Sequence, residues 1–220
     1  MIVQLDRDIF DLKIGILGTR SKCFTDILDK HQISYCLVSS IEDIDETYDI
    51  IFESGVYSII PEEVLIKPTY GFIGIHETPL PEGKGWAPIQ WTVLNKRKHL
   101  TITLYKLASR ADNGKIINQV NKPIFTYDTL YTLNKKREEG ISECFEIFIE
   151  EMKSGFIVLR EQSGKPSYHK KRTKENSELN PDIPLKDLWD EIRICDNENY
   201  PAFFVIGDTK IILRYEVQKK

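Results

Sequence analysis

The stretch GFIGIHETPLPEGKGWAPIQW, residues 71–91, contains three kinds of local pattern in one short passage. Residues 71–76 form an apolar run typical of a buried strand. The prolines and glycines that follow are typical of a constrained loop. Residues 86–97 can form a helix with proline in its first turn. A lone histidine, His76, stands at the end of the predicted strand, where a substrate could reach it.

Upstream of this stretch, apolar runs alternate with a helical segment. Strands are predicted at residues 13–18, 33–40 and 48–55, with helical spacing of apolar residues between the first two. This alternation predicts an α/β fold of the Rossmann-like, doubly wound class, with a mostly parallel sheet. No Gly-x-Gly-x-x-Gly pattern follows the first strand, so a dinucleotide cofactor has little support.

The carboxyl ends of these predicted strands point to one candidate site. Gly18, the pair Ser54 and Gly55, and His76 each fall at a predicted strand end. Ligands of open α/β sheets bind at the carboxyl ends of the strands. We therefore expect these residues to lie on one rim of the sheet.

Downstream, the pattern continues for about fifty residues and then changes. Strands are predicted at residues 100–107 and 115–124, and apolar spacing of three and four predicts a long amphipathic helix over residues 129–154. After Gly155 the chain is polar, and a short helix and a β-hairpin follow. These patterns predict a main domain at residues 1–155 and a small C-terminal α+β appendage, a helix plus β-hairpin, at residues 156–220.

Composition excludes several classes of protein. The 220 residues include 30 Lys+Arg and 34 Asp+Glu, a net charge of -4, which argues against a nucleic-acid partner held by overall charge. The N-terminal residues are acidic where a signal peptide is basic, and no apolar run reaches the length of a membrane span. We expect a cytoplasmic protein without a membrane partner. Four scattered cysteines without a Cys-x-x-Cys pair predict free thiols and no metal site.

A histidine alone is weak evidence for catalysis, because most histidines are packed or surface residues. An acidic partner would orient the ring and stabilise its charged form. Asp112, in the turn ADNG between two predicted strands, is a candidate for that partner. Turn chemistry alone also explains an aspartate at this position.

The segments GIHETPLPEGKGWAPIQW, residues 74–91, and TITLYKLASRADNGKII, residues 101–117, resemble the folate-dependent formyltransferase family. That family is marked by Asn-x-His-x-Ser-Leu-Leu-Pro, a later Gly-x-x-Pro and an Asp-x-Gly turn. The matching positions here are His76, Thr78, Leu80, Pro81, Gly85, Pro88, Asp112 and Gly114. The resemblance implies the formyltransferase fold, with residues 1–155 as the catalytic domain.

The resemblance also implies a reaction and a set of site residues. A formyl group would move from N10-formyltetrahydrofolate to a primary amine, with His76 and Asp112 as the catalytic pair. Residues 48–65 are similar to the family's segment that lines the folate pocket with main-chain groups. The residues expected to bind the folate are Ser54, Gly55, Tyr57, Ile59, Thr78, Leu80 and Asn113.

One position departs from the family pattern. The family's asparagine corresponds to Gly74, which has no amide to offer a developing oxyanion. Loss of one such donor costs roughly 100–1,000-fold in rate. Another group, such as Asn113 or a backbone N–H, could replace it, or the acceptor could be handled differently. Alternatively, the protein binds folate and substrate but catalyses poorly, as a folate- or sugar-nucleotide-binding protein would.

The acceptor is expected to be a nucleotide-linked amino sugar, of the kind used in bacterial surface polysaccharides. The segments GWAPIQW and YPAFF look closer to the sugar branch of the family than to its other branches. A tRNA formyltransferase would need a basic face and a sizeable β-barrel after the catalytic domain, and a glycinamide ribonucleotide formyltransferase is a further alternative. Trp86, Trp91 and Tyr57 could stack on a base or a pterin, although core packing better explains Trp91. Sugar enzymes of this family often form dimers, so a homodimer is possible.

Overall fold

A computed structural model describes residues 1–56 and 58–218. The described strands are β1 (Ile2–Gln4), β2 (Ile14–Leu17), β3 (Tyr35–Val38), β4 (Ile50–Glu53), β5 (Gly71–His76), β6 (Lys84–Gly85), β7 (His99–Lys106), β8 (Ile116–Pro123), β9 (Phe156–Val158), β10 (Tyr168–His169), β11 (Ala202–Ile206) and β12 (Thr209–Leu213). The described α-helices are α1 (Lys22–Lys30), α2 (Glu62–Leu65), α3 (Pro88–Leu94), α4 (Leu130–Lys153) and α5 (Leu185–Arg193).

A six-stranded sheet in the order β3-β2-β4-β5-β7-β8 forms the centre of the molecule. Strands β3, β2, β4 and β5 are parallel, whereas β7 and β8 continue the sheet in antiparallel pairing. The predicted α/β class with a mostly parallel sheet is confirmed. In the parallel part, β2, β4 and β5 end side by side, so their carboxyl ends form one rim.

The buried strands form because their apolar side chains are covered on both faces of the sheet. In β4, Ile50, Ile51 and Phe52 are fully buried, as the strands of parallel sheets usually are. Helix α4 covers one face, and the ring centroids of Phe52 and Phe145 lie 4.7 Å apart in an edge-to-face contact. Among the described residues, no helix combines the length and apolar character needed to span a bilayer.

Helix α4 begins where the sequence provides a cap. Thr129 and Thr132 form a reciprocal capping box, in which each side chain accepts the other's backbone N–H. The helix then presents a buried apolar stripe to the sheet. Its start and end agree with the predicted helix over residues 129–154.

Two strand pairs were not predicted from the sequence. Strand β9 pairs with β1 in antiparallel orientation, and β10 pairs with β6 in parallel orientation. The chain after α4 therefore returns to the N-terminal strand β1 and to the loop after β5. The predicted helix and hairpin are present as α5 and the β11–β12 pair, with a small apolar core between them. The domain boundary at residue 155 stays a prediction.

Candidate active site

A cavity of about 720 Å³ opens at the rim formed by the carboxyl ends of the parallel strands. This volume lies within the range of small-molecule sites, roughly 300–1,000 Å³. Its walls come from the loops after β2, β4 and β5, the start of α3, the turn after β7 and the outward face of α4. Five of the residues predicted from the sequence line it: His76, Asp112, Ser54, Gly55 and Ile59.

The His76 ring is buried and held at both nitrogens. Its Nε2 donates to the carbonyl oxygen of Gly83 over 2.9 Å, and its Nδ1 lies 3.5 Å from Oδ1 of Asp112. Both nitrogens therefore face oxygen atoms. The imidazole and the Asp112 carboxyl form a pair that can hold a proton at the cavity wall.

The Asp112 carboxyl is oriented by donors from two other segments. Oδ2 accepts the backbone N–H of Gly85 at 2.8 Å, and Oδ1 accepts the hydroxyl of Tyr105 at 3.1 Å. Burial raises the pKa of Tyr105 well above its usual value, so the hydroxyl keeps its proton and donates it. The Asp112 backbone is left-handed, with φ of 55°, and Gln162 Nε2 donates to its carbonyl over 2.8 Å.

The loop after β5 is fixed from the far side by the segment around β10. The backbone N–H of Gly83 donates to Ser167 Oγ over 2.9 Å, and the N–H of Lys84 donates to the Ser167 carbonyl over 2.9 Å. Gly83 has φ of 73°, and a Cβ there would lie 2.7 Å from Thr78 Cγ2. Thus the carbonyl that accepts from His76 belongs to a loop whose position depends on residues 167–169.

Three other predicted folate residues do not line the main cavity. Thr78 donates its hydroxyl to the Glu82 carbonyl over 2.7 Å and borders a second cavity of about 240 Å³. Leu80 is buried in a small apolar cluster, and Asn113 accepts a hydrogen bond from the Lys84 ammonium. Tyr57 lies outside the described residues. The folate-binding role of these residues stays a prediction.

The space beside Gly74, the position of the family's asparagine, is already filled. A Cβ on residue 74 would lie 2.4 Å from Cδ1 of Leu107 and 3.1 Å from Oε2 of Glu53. Glu53 is the residue paired with Gly74 in the register of β4 and β5. The side chains of Leu107, which follows β7, and of Glu53 on the neighbouring strand therefore occupy the place that a larger residue at 74 would take.

Glu53 is the residue at this rim that the sequence interpretation missed. Its Oε1 accepts the backbone N–H of Val56 over 2.8 Å, and its side chain lines the main cavity. The pKa of Glu53 is raised to about 7, mainly by burial and in smaller part by the nearby charges of Glu77 and Asp112, against the lowering effect of the Val56 N–H. An acidic residue at the end of an otherwise fully apolar strand was the available indication in the sequence.

The opposite wall carries polar and aromatic groups suited to a large ligand. Among the described residues, Arg137 Nε makes no hydrogen bond although it is buried, and Oε1 of Glu77 lies 3.9 Å away. Trp86 lines the cavity, is 44% exposed, and has the Lys171 ammonium 4.7 Å from its ring centroid. Trp91 instead packs against protein, since its ring stacks on another side chain and its Nε1 donates to a backbone carbonyl.

Comparison with known proteins identifies the family. A family model described as formyl transferase matches residues 41–145, which include β4, β5, the loop with His76 and the Asp112 turn. These residues, just under half of the chain, match the formyl transferase family. The prediction that this protein is a formyltransferase enzyme is confirmed at the level of the family.

The fold of this formyltransferase matches solved structures along most of its length. Methionyl-tRNA formyltransferase from Clostridium thermocellum is 23% identical, with 94% of each chain covered and a TM-score of 0.70. A sugar N-formyltransferase from Shewanella sp. is 16% identical, with 95% of this chain and 99% of that chain covered and a TM-score of 0.79. The formyltransferase PseJ from Anoxybacillus kamchatkensis, solved with UDP-4,6-dideoxy-4-formamido-L-AltNAc and tetrahydrofolate, is 25% identical. The match covers 72% of this chain and 85% of the PseJ chain, with a TM-score of 0.62.

The predicted formyl donor is also the one that the family uses, formyl-tetrahydrofolate. The cavity of this formyltransferase fits such a donor on two observations. Its volume of about 720 Å³ suits a ligand of that size, and the Nε of Arg137 is a buried donor in its wall that has no hydrogen-bond acceptor among the described residues. The residues that line the cavity are therefore compatible with formyl-tetrahydrofolate as a ligand.

Proposed function

We propose that this formyltransferase transfers the formyl group of N10-formyltetrahydrofolate to the amine of a nucleotide-linked amino sugar. The observation that carries the proposal is the pairing of His76 Nδ1 with Asp112 Oδ1, 3.5 Å apart in the wall of the cavity. The sugar acceptor is supported by the sugar N-formyltransferase from Shewanella sp., whose fold matches nearly the whole of both chains, and by the nucleotide sugar bound to PseJ.

The reaction forms a bond between the acceptor nitrogen and the formyl carbon, breaks the bond between that carbon and the donor's N10, and moves one amine proton to the departing nitrogen. His76 and Asp112 are placed to hold that proton between its removal and its delivery, because Nδ1 and the carboxyl meet at the cavity wall. The Gly83 carbonyl and the Gly85 N–H fix the two side chains, so little reorganisation is needed when the proton arrives.

The loop after β4 is the part of the cavity that would hold the folate. Ser54, Gly55 and Ile59 line this part of the cavity. Trp86 stands on the opposite side with an exposed ring face, where a nucleotide base could stack. The donor and the acceptor would then approach His76 from two sides of one cavity.

The test is a transfer assay with N10-formyltetrahydrofolate and a panel of thymidine-, uridine- and guanosine-linked amino sugars, read as tetrahydrofolate release and product mass. We expect one acceptor to gain a single formyl group. His76→Ala should lower the rate by roughly 100–10,000-fold while tetrahydrofolate still binds, since the loss is of proton transfer. His99→Ala, which changes an exposed histidine at the start of β7, is the matched control and should leave the rate unchanged.

Two other functions have specific support and are outcomes of the same test. Gly74 favours a protein that binds folate without turnover, and binding of tetrahydrofolate with no product from any acceptor would establish it. The match to methionyl-tRNA formyltransferase favours a tRNA acceptor. In that case tRNA binding would weaken steeply with salt, whereas a flat response would exclude it. A homodimer stays a prediction.

A further inference from the structure

We propose that Glu53, in its neutral acid form, donates a hydrogen bond to the oxygen of the formyl group and is a further catalytic residue of this enzyme. The inference rests on the proposed formyl transfer. It assigns to Glu53 the donor role that residue 74 cannot fill, because glycine has no side chain.

The first argument is position. Glu53 is paired with Gly74 across β4 and β5, and its Oε2 lies 3.1 Å from the point where a Cβ at residue 74 would stand. His76 is two residues farther along β5, on the same face of the strand and about 7 Å away along it. Both side chains line the same cavity. A formyl group in contact with His76 is therefore within reach of the Glu53 carboxyl.

The second argument is the chemistry of the carboxyl group. Oε1 accepts the Val56 N–H at 2.8 Å, which leaves Oε2 as the oxygen beside Gly74. A carboxylate has no hydrogen to donate to a carbonyl oxygen, but a neutral acid has one. The side chain can therefore serve as the donor only when it carries its proton.

The third argument is the set of charges around Glu53. The pKa of Glu53 is raised to about 7, and burial is the largest influence. The Val56 N–H lowers it, Glu77 after β5 and Asp112 after β7 raise it, and Arg20 after β2 lowers it. The hydroxyl of Tyr105 on β7 faces the same group, and Arg137 and Glu138 on α4 line the cavity. A large share of Glu53 is therefore protonated at neutral pH.

The bonds and protons balance without any further reactant. One N–C bond forms and one breaks, as in the proposed transfer, and the amine proton passes by way of His76 and Asp112 to the departing nitrogen. The Glu53 proton stays on Glu53 throughout. Its hydrogen bond strengthens as negative charge develops on the formyl oxygen, which is the condition for lowering the barrier.

The competing explanation is that Glu53 only fixes the loop after β4 through Val56. Two substitutions separate these roles. Glu53→Gln keeps an oxygen acceptor for the Val56 N–H and presents an uncharged amide donor beside Gly74. Glu53→Ala removes both the acceptor and the donor. Glu151→Gln is the matched control, because burial also raises the pKa of Glu151 but this residue does not line the cavity.

The experiment measures kcat for the four proteins between pH 5.5 and 9. For the wild type we expect kcat to fall above pH 7, since deprotonation of Glu53 removes the donor. Glu53→Gln should keep activity within about tenfold and lose this decline, and Glu53→Ala should lose roughly 100–1,000-fold at every pH. Glu151→Gln should follow the wild type.

Contrary results overturn the proposal in distinguishable ways. Wild-type transfer with an equally active Glu53→Ala variant, or a Glu53→Gln variant with the wild-type pH profile, would exclude Glu53 as the donor while leaving formyl transfer established. Absence of wild-type transfer to every acceptor would remove the proposed function and this inference together. Carbon-13 NMR of the free protein, with the Glu53 signal assigned from Glu53→Gln, gives a test without turnover: titration near pH 7 supports the inference and titration near an ordinary glutamate value overturns it.

Discussion

The end of β4 and the turn after β7 each bring one carboxyl group into the cavity, but they surround it differently. The turn gives Asp112 an N–H from Gly85, a hydroxyl from Tyr105 and an imidazole nitrogen at 3.5 Å. The strand end gives Glu53 a single backbone donor, from Val56, and burial. Donors stabilise a negative charge, whereas burial without them favours the neutral acid.

The difference assigns two roles to two chemically similar groups. Asp112 lies beside an imidazole and two hydrogen-bond donors, whereas the raised pKa of Glu53, about 7, lets it hold a proton over part of the neutral range. Enzymes that need both an acid and a base at one pH use environments that separate two carboxyls in this way. The number of donors at each carboxyl, rather than the residue type, decides which role it takes.

Replacing the charged member of this pair should have the largest effect. Asp112→Asn places an uncharged amide beside the His76 ring and should lower kcat by roughly 100–10,000-fold, with tetrahydrofolate binding retained. Steady-state kinetics and a binding titration measure the two quantities. Asp208→Asn, in the exposed hairpin turn between β11 and β12, is the control. A variant with near-wild-type kcat would show that the charge beside the imidazole is not needed.

Adding a side chain at residue 74, beside Glu53, should lower the free energy of unfolding. In Gly74→Ala, the new Cβ meets Leu107 Cδ1 at 2.4 Å and approaches the Glu53 carboxyl. We expect a loss of about 1–3 kcal/mol in the free energy of unfolding, measured with denaturant. Combining Gly74→Ala with Leu107→Val removes part of the clash and should recover part of the loss, with Leu107→Val alone as the reference. Equal stability of Gly74→Ala and wild type would mean that the space is not filled.

Removing one donor from Asp112 brings its surroundings closer to those of Glu53 and should have the smallest effect. Tyr105→Phe deletes the hydroxyl that lies 3.1 Å from Oδ1 and keeps the buried ring. We expect kcat to fall roughly tenfold with KM unchanged, since one hydrogen bond to a charged group is lost. Tyr70→Phe, which removes a hydroxyl bonded to Asp6 away from the cavity, is the matched control. An unchanged kcat in Tyr105→Phe would show that the remaining donors suffice.

Sequence periodicity predicts the strands and helices whose apolar side chains repeat along one element and are buried by its packing. The apolar run of β4 and the apolar stripe of α4 were identified for this reason, and so was the strand that ends at His76. The pairing of His76 with Asp112 is expected from the family resemblance and from the need of a catalytic histidine for an acidic partner. A turn aspartate with φ of 55° could serve local geometry alone, and only the structure shows its carboxyl beside the imidazole.

The remaining features depend on contacts between segments far apart in the chain. The pairing of β6 with β10 joins residues more than eighty positions apart, and its two-residue strands have no periodicity to recognise. The proposed role of Glu53 depends on the register between β4 and β5, because this alignment places the Glu53 carboxyl beside Gly74. Neither the register nor the filled gap can be derived from local sequence pattern.

The support of the loop after β5 by Ser167 has a consequence for the order in which the protein matures. The N–H groups of Gly83 and Lys84 are bound by a serine that is synthesised more than eighty residues after them. During translation the strands of the main sheet leave the ribosome before Ser167 does, so the loop that carries the Gly83 carbonyl lacks this support until then. The polar segment after α4 thus supplies its hydrogen bonds to this loop after Thr78 and Asp112 have been synthesised.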